Sequence, residues 1–192
     1  MTPIDLVGFQ KLRVGPDGQP LKADGVMGPK TAWAWAIDSL PGWRKAVVLG
    51  ALSYVGLEEI GGENRGPEID VWLGACGVQQ GNPWCAAFVS AMLRLAGISC
   101  AEALVRNLPS RFERTEVPIP GDVSYWIRPD GTGHCGIVTG VNRIQVSVVE
   151  GNSGDGVRAG RRPIDKLSFL RSGLPAIPDV WDGLPFLGGK TT

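Results

Sequence analysis

The 192-residue sequence contains a single histidine, His134. Any chemistry that needs an imidazole must use that one. Charge of one sign is also missing: 19 Lys and Arg are matched by 19 Asp and Glu, for a formal net charge of zero. A chain that grips nucleic acid usually carries a basic excess, so no nucleic-acid partner is expected. The densest basic cluster, Arg161-Arg162 with Arg158 nearby, reads as a solvated strand. No stretch reaches the roughly 18 consecutive apolar residues that suggest a membrane span. Met1 to Val14 lacks a basic start followed by an apolar core of about 7–15 residues, so no secretory signal peptide is expected and synthesis in the cytoplasm follows. The four cysteines (Cys76, Cys85, Cys100, Cys135) show no gap of about two to four residues, as a zinc knuckle or redox pair would. They are expected as reduced thiols. There is no internal repeat, and no loop with the alternating aspartates of a calcium site. No metal or cofactor is expected, and the chain is expected to be monomeric.

Glycine and proline are plentiful, at 28 and 15 residues, which predicts many turns and short elements. At about 150 residues per domain, the length suggests one domain plus an extension. Such a chain buries about 70% of its unfolded surface, enough for a core without staples. Residues 1–38 read as a small helical module: Ile4 to Leu12 has helical spacing, and a second helix starts near Pro29 or Thr31 after the Asp24-Gly25 turn. Residues 39–171 form the main domain and 172–192 a Gly/Pro-rich tail. Helices are predicted over Pro41 to Gly56, from Gly66-Pro67 to about Ala75, and over Asn82 to Gly97 with Asn82 as N-cap and Pro83 next. Ser99-x-x-Glu102 reads as the capping box of a short fourth helix. From Pro118 the pattern changes to strands: Asp122 to Ile127, His134 to Gly140, Ile144 to Glu150 and Val157 to Ile164. Helices first and antiparallel strands second give an α+β class.

Cys85 falls at the third position of its predicted helix, where unpaired amides and the positive end of the macrodipole favour a thiolate. The bland alternative is a buried structural cysteine, since Cys85, Val89, Met92 and Ala96 share one helical face. A cysteine nucleophile needs an imidazole to take and return its proton, and His134 is the one available; its alternative is a surface histidine. If the hairpin turns through Val141-Asn142-Arg143, His134 lies opposite Glu150, close enough for the carboxylate to hold the ring. Asn152 follows two residues on and points to the same face if the strand continues. A two-residue turn would put Glu150 on the wrong face, so the assignment depends on the loop. Trp84 and Trp126 are candidates for lining a substrate groove. Strand alternation sends Cys135 away from His134 into the core. The Cys85 amide is one candidate oxyanion donor, with Gln79, Gln80 and Asn82 near in sequence for a second.

These residues carry a resemblance. Pro83-Trp84-Cys85-Ala86-Ala87-Phe88-Val89, Pro120-Gly121-Asp122-Val123, Gly133-His134-Cys135-Gly136-Ile137-Val138 and Val149-Glu150-Gly151-Asn152 resemble the CHAP group of cysteine peptidoglycan hydrolases, papain-like relatives of the NlpC-type enzymes. The likeness covers roughly residues 54–165, including Glu59-x-x-Gly62-x-Asn64-x-Gly66-Pro67, similar to a branch common in bacteria and their phages. It implies Cys85 as nucleophile, His134 as base, Glu150 as its orienter and Asn152 as an accessory polar group, on helices packed against an antiparallel sheet. Asp24-Gly25-x-x-Gly28-x-x-Thr31 resembles the turn of a peptidoglycan-binding domain. A helical pair packed on the catalytic domain is the equal alternative.

The resemblance implies a phage endolysin-like enzyme whose partner is bacterial peptidoglycan and whose place of action is the cell wall. It would cut an amide bond as an N-acetylmuramoyl-L-alanine amidase or a peptide endopeptidase. Two competitors remain: a cysteine acyltransferase or protease acting on proteins, and a non-catalytic wall-binding protein that keeps the fold.

Overall fold

A computed structural model describes residues 5–173 of the chain. Among them, five α-helices come first: α1 (Leu6–Lys11), α2 (Pro29–Asp38), α3 (Gly42–Ser53), α4 (Pro67–Gly74) and α5 (Cys85–Leu95). Six strands follow: β1 (Glu113–Thr115), β2 (Val123–Ile127), β3 (Gly133–Val141), β4 (Gln145–Glu150), β5 (Arg158–Pro163) and β6 (Ser168–Arg171). They make one antiparallel sheet in the order β1-β6-β2-β3-β4-β5. The chain is therefore α+β, with a papain-like layering of helices on an antiparallel sheet.

Local chemistry sets most boundaries. The Asp5 carboxylate accepts the Gly8 amide at 2.8 Å and so caps α1. Pro29 and Pro67 stand in the first turns of α2 and α4, where a missing N–H does no harm. Gly97, at φ +79°, turns the chain out of α5. From Cys85 to Leu93 every residue of α5 is buried, as expected of a helix apolar on all sides. It packs against α3, α4 and β3.

Three expectations fail. No helix forms at Ser99-x-x-Glu102. The Glu102 backbone instead pairs with the Ser90 hydroxyl, and its carboxylate accepts from Asn107 and Arg111, at 3.0 and 2.8 Å. The chain there makes a 3-10 turn at Val105–Ser110 instead. β1 and β6 were not anticipated; at three and four residues they are too short to show alternation. Asn82 does not cap α5: its side-chain amide donates to the Gln79 carbonyl at 3.0 Å. The tail expected at 172–192 lies outside the described residues except for Ser172 and Gly173.

The N-terminal elements share the main core. Leu21, Trp33, Ile37 and Leu40 belong to the same apolar cluster as Phe88, Ile137 and Val149. The Asp24-Gly25 turn closes on the buried Gln10, whose side chain accepts the Gly25 amide at 2.8 Å and donates to Asp24 and Thr31. Val138, Val146, Val148 and Phe169 form a second cluster on the other face of the sheet. Among the described residues no helix is long and apolar enough to cross a membrane.

Candidate active site

Cys85 is the first residue of α5, two positions earlier in the helix than predicted. Trp84 is the N-cap, and no side chain caps the helix. Cys85 is 6% exposed. Burial opposes its ionisation, yet hydrogen bonding from the Cys135 thiol, then from His134 and the Ala86 amide, brings its pKa down to about 5. Cys135 does enter the core, as strand alternation predicts. That core is the one α5 packs into, so its thiol meets the Cys85 sulfur. The same contact, together with full burial, pushes the Cys135 thiol well above the ordinary range. All four cysteines are free thiols.

His134 is the second residue of β3 and pairs with Trp126 of β2 across the ladder. The start of β3 thus faces the start of α5. Burial works against the imidazolium, but the Cys85 sulfur and the Glu150 carboxylate outweigh it and raise the ring to about 9. The site is therefore a thiolate–imidazolium pair near neutral pH. His134 Nε2 stands 3.7 Å from Glu150 Oε2, the separation of an ion pair rather than of a direct hydrogen bond.

Glu150 reaches that position by a register unlike the predicted one. The hairpin is tight, with the Asn142 amide donating to the Gln145 carbonyl at 2.9 Å. Val141 pairs with Val146 and Gly140 with Ser147. Continued unchanged, this register would place Glu150 opposite Ile137, on the core face. Instead β3 carries one extra residue, Thr139, between Gly140↔Ser147 and Val138↔Val148. This β-bulge restores the parity. Val149 then pairs with Ile137, Glu150 comes next to Gly136, and the carboxylate shares a face with His134. A Cβ on Gly136 would lie 2.7 Å from Glu150 Cγ and from the Val149 carbonyl oxygen, so only glycine fits there. Burial raises the Glu150 pKa, but His134 and Arg162 hold it below the usual range.

Arg162, expected on a solvated strand, grips Glu150 with two hydrogen bonds of 3.0 and 2.5 Å. It lies opposite Val146 on β5, and Gly160 opposite Val148 leaves the way clear. The missed signal was period-two spacing, since 158, 160 and 162 share the Glu150 face. Arg158 pairs with Glu58.

The two tryptophans separate. Trp126 is half-buried, its ring centroid 6.0 Å from that of His134 and capped by the Arg128 guanidinium at 4.3 Å. Trp84, expected on the groove wall, is fully buried among Trp72 and Phe88 and offers no surface to a ligand. Its indole donates to Glu59 Oε1 at 2.9 Å. Glu59 Oε2 accepts the Asn64 amide at 2.6 Å, and Asn64 Oδ1 accepts from Asn152 Nδ2 at 3.1 Å. Asn152 therefore turns to Asn64. The strand ends at Glu150 and Asn152 takes φ +56°, so the period-two expectation lapses there. Glu59 ties the residue before Cys85 to the loop after Glu150. Among the described residues, no group of three or more His, Cys, Asp or Glu side chains could hold a metal ion.

No curated protein and no solved structure matches the chain. Residues 77–152 match the family model of the CHAP domain, and Cys85, His134, Glu150 and Asn152 all lie inside that span. The segment that brings a cysteine at the start of a buried helix beside an imidazole on an antiparallel strand is thus similar to a CHAP domain, consistent with the cysteine peptidase and amidase type.

Proposed function

We propose that the protein hydrolyses an amide bond of bacterial peptidoglycan in an endolysin-like role, by a Cys-His-Glu mechanism. The observation that carries this reading is the thiolate–imidazolium pair of Cys85 and His134, backed by Glu150, within the CHAP-matched segment. The Cys85 thiolate attacks the carbonyl carbon, and the tetrahedral oxyanion draws on the Cys85 amide at the helix start. His134 donates its proton to the departing amine, leaving an acyl-enzyme thioester. The neutral ring then takes a proton from water, which attacks the thioester and frees the carboxylate. Glu150, fixed by Arg162, keeps the ring oriented and favours its charged form through both steps. Half-buried Trp126 beside His134 supplies an apolar wall for a sugar or peptide.

The N-terminal residues 5–38 support the wall-directed part of the reading through their Asp24-Gly25-x-x-Gly28-x-x-Thr31 turn. The test is digestion of purified peptidoglycan, with new amines labelled and fragments weighed. Free stem peptides beginning with the sugar-linked residue assign an amidase; shortened stems or cut cross-links assign an endopeptidase. Intact walls alongside cleaved casein, or product formed only with an added amine, would replace this reading with a protease or an acyltransferase.

A further inference from the structure

The bulge at Thr139 decides which face of the sheet Glu150 occupies, and one side chain from outside the sheet holds it. Trp33 of α2 is buried at 6% exposure, and its Nε1 donates to the Thr139 carbonyl at 2.7 Å. A bulged residue drops out of the ladder, and a buried carbonyl so released needs another donor. The indole is that donor. The Thr139 side chain gives no help, because its hydroxyl is buried without a partner. The indole also sits against Gly140, where a Cβ would lie 3.4 Å from Nε1.

We infer that Trp33 is a positioning residue for the hydrolytic site, pinning the Thr139 bulge that sets Glu150 on the His134 face. The inference rests on the assignment of Cys85, His134 and Glu150 proposed above. In an unbulged ladder Ile137 would stand opposite Glu150, and the carboxylate would point into the apolar cluster of Phe88 and Ile137. A strand cannot slide half a step, so loosening the bulge exchanges the two faces rather than shifting the carboxylate slightly. The α2 segment is then part of the catalytic unit, and a cut after residue 38 would remove the donor.

The experiment compares wild type with Trp33→Phe and with benzothienylalanine at position 33, which keeps the indole shape but lacks the N–H. Cys85 alkylation by iodoacetamide is followed against pH, which needs no substrate, and kcat and KM are measured on peptidoglycan fragments. Folding is checked by melting. The expected result is folded protein with kcat down about tenfold and KM little changed. The alkaline limb of the alkylation profile, set by His134, moves toward lower pH. Trp35→Phe, on the same helix but against Phe9, leaves both readouts at wild-type values. A folded variant with wild-type kcat and an unmoved alkylation profile overturns the inference. Unfolding of both Trp33 variants also overturns it, since the bond would then serve folding alone. If wild type leaves peptidoglycan intact while the alkylation limb still moves, the proposed substrate falls and the positioning role stands.

Discussion

Cys85 owes its lowered pKa mainly to its side-chain neighbours, the Cys135 thiol first and then His134, with the Ala86 amide adding less. With Cys85 lowered to about 5 and His134 raised to about 9, the charged pair exists between those limits. Below the lower limit the sulfur gains a proton; above the upper one the ring loses its own. Turnover should therefore plot as a bell with limbs near these two values, measured as kcat/KM against pH. The Cys135 thiol is the largest lowering influence on Cys85, so Cys135→Ala should move the acid limb to higher pH. Cys135→Ser, which keeps a donor, should restore part of the shift. Thiolate absorbance in the ultraviolet across a pH titration reads this directly, and an acid limb unmoved in Cys135→Ala would contradict the assigned contact.

The start of α5 and the end of β4 meet where two glycines leave no room for a side chain. A Cβ on Gly151 would lie 2.6 Å from Phe88 Cβ and 2.7 Å from the Trp84 ring. Gly151→Ala should therefore destabilise by about 1–3 kcal/mol through overpacking, read as a fall in urea midpoint at unchanged m-value. Gly136→Ala pushes against Glu150 itself, and should lower kcat more than Gly151→Ala does at equal loss of stability. The helices and the four longer strands were legible because their periodicity is local, and the site residues stood out through the lone histidine and the resemblance to CHAP enzymes. The face of Glu150 was not legible. It depends on a tight turn and a one-residue bulge that cancel each other, and the bulge is held by Trp33, more than a hundred residues earlier. Trp84 misled for a related reason: with the helix beginning two residues later than expected, Trp84 becomes its N-cap and its ring is buried in the core. Asn152 escaped because a left-handed residue ends the alternation on which its prediction relied.

Across the whole molecule, a buried ion pair joins the helical layer to the sheet. Arg44 of α3, 1% exposed, bonds Asp122 at 2.8 Å and the Pro120 carbonyl at 3.0 Å. Asp122 also accepts the Ile119 amide and faces Arg171 at the end of β6. Burial pulls the Arg44 pKa down despite Asp122, and its Nε has no hydrogen-bond partner among the described residues. The guanidinium is thus held by one carboxylate and one carbonyl, so Asp122→Ala should cost about 3–5 kcal/mol, measured by chemical denaturation. Leu21, Trp33, Ile37 and Leu40 extend the same core, and deleting residues 1–38 should lower the melting temperature as well as any wall affinity. The central claim, that Cys85 is the nucleophile of a peptidoglycan hydrolase, is tested most directly by the clearing of purified peptidoglycan. Wild type, Cys85→Ala and Cys135→Ala are run in parallel across pH. The account predicts clearing by wild type, none by Cys85→Ala, and clearing by Cys135→Ala with its acid limb moved upward; clearing by Cys85→Ala would contradict it.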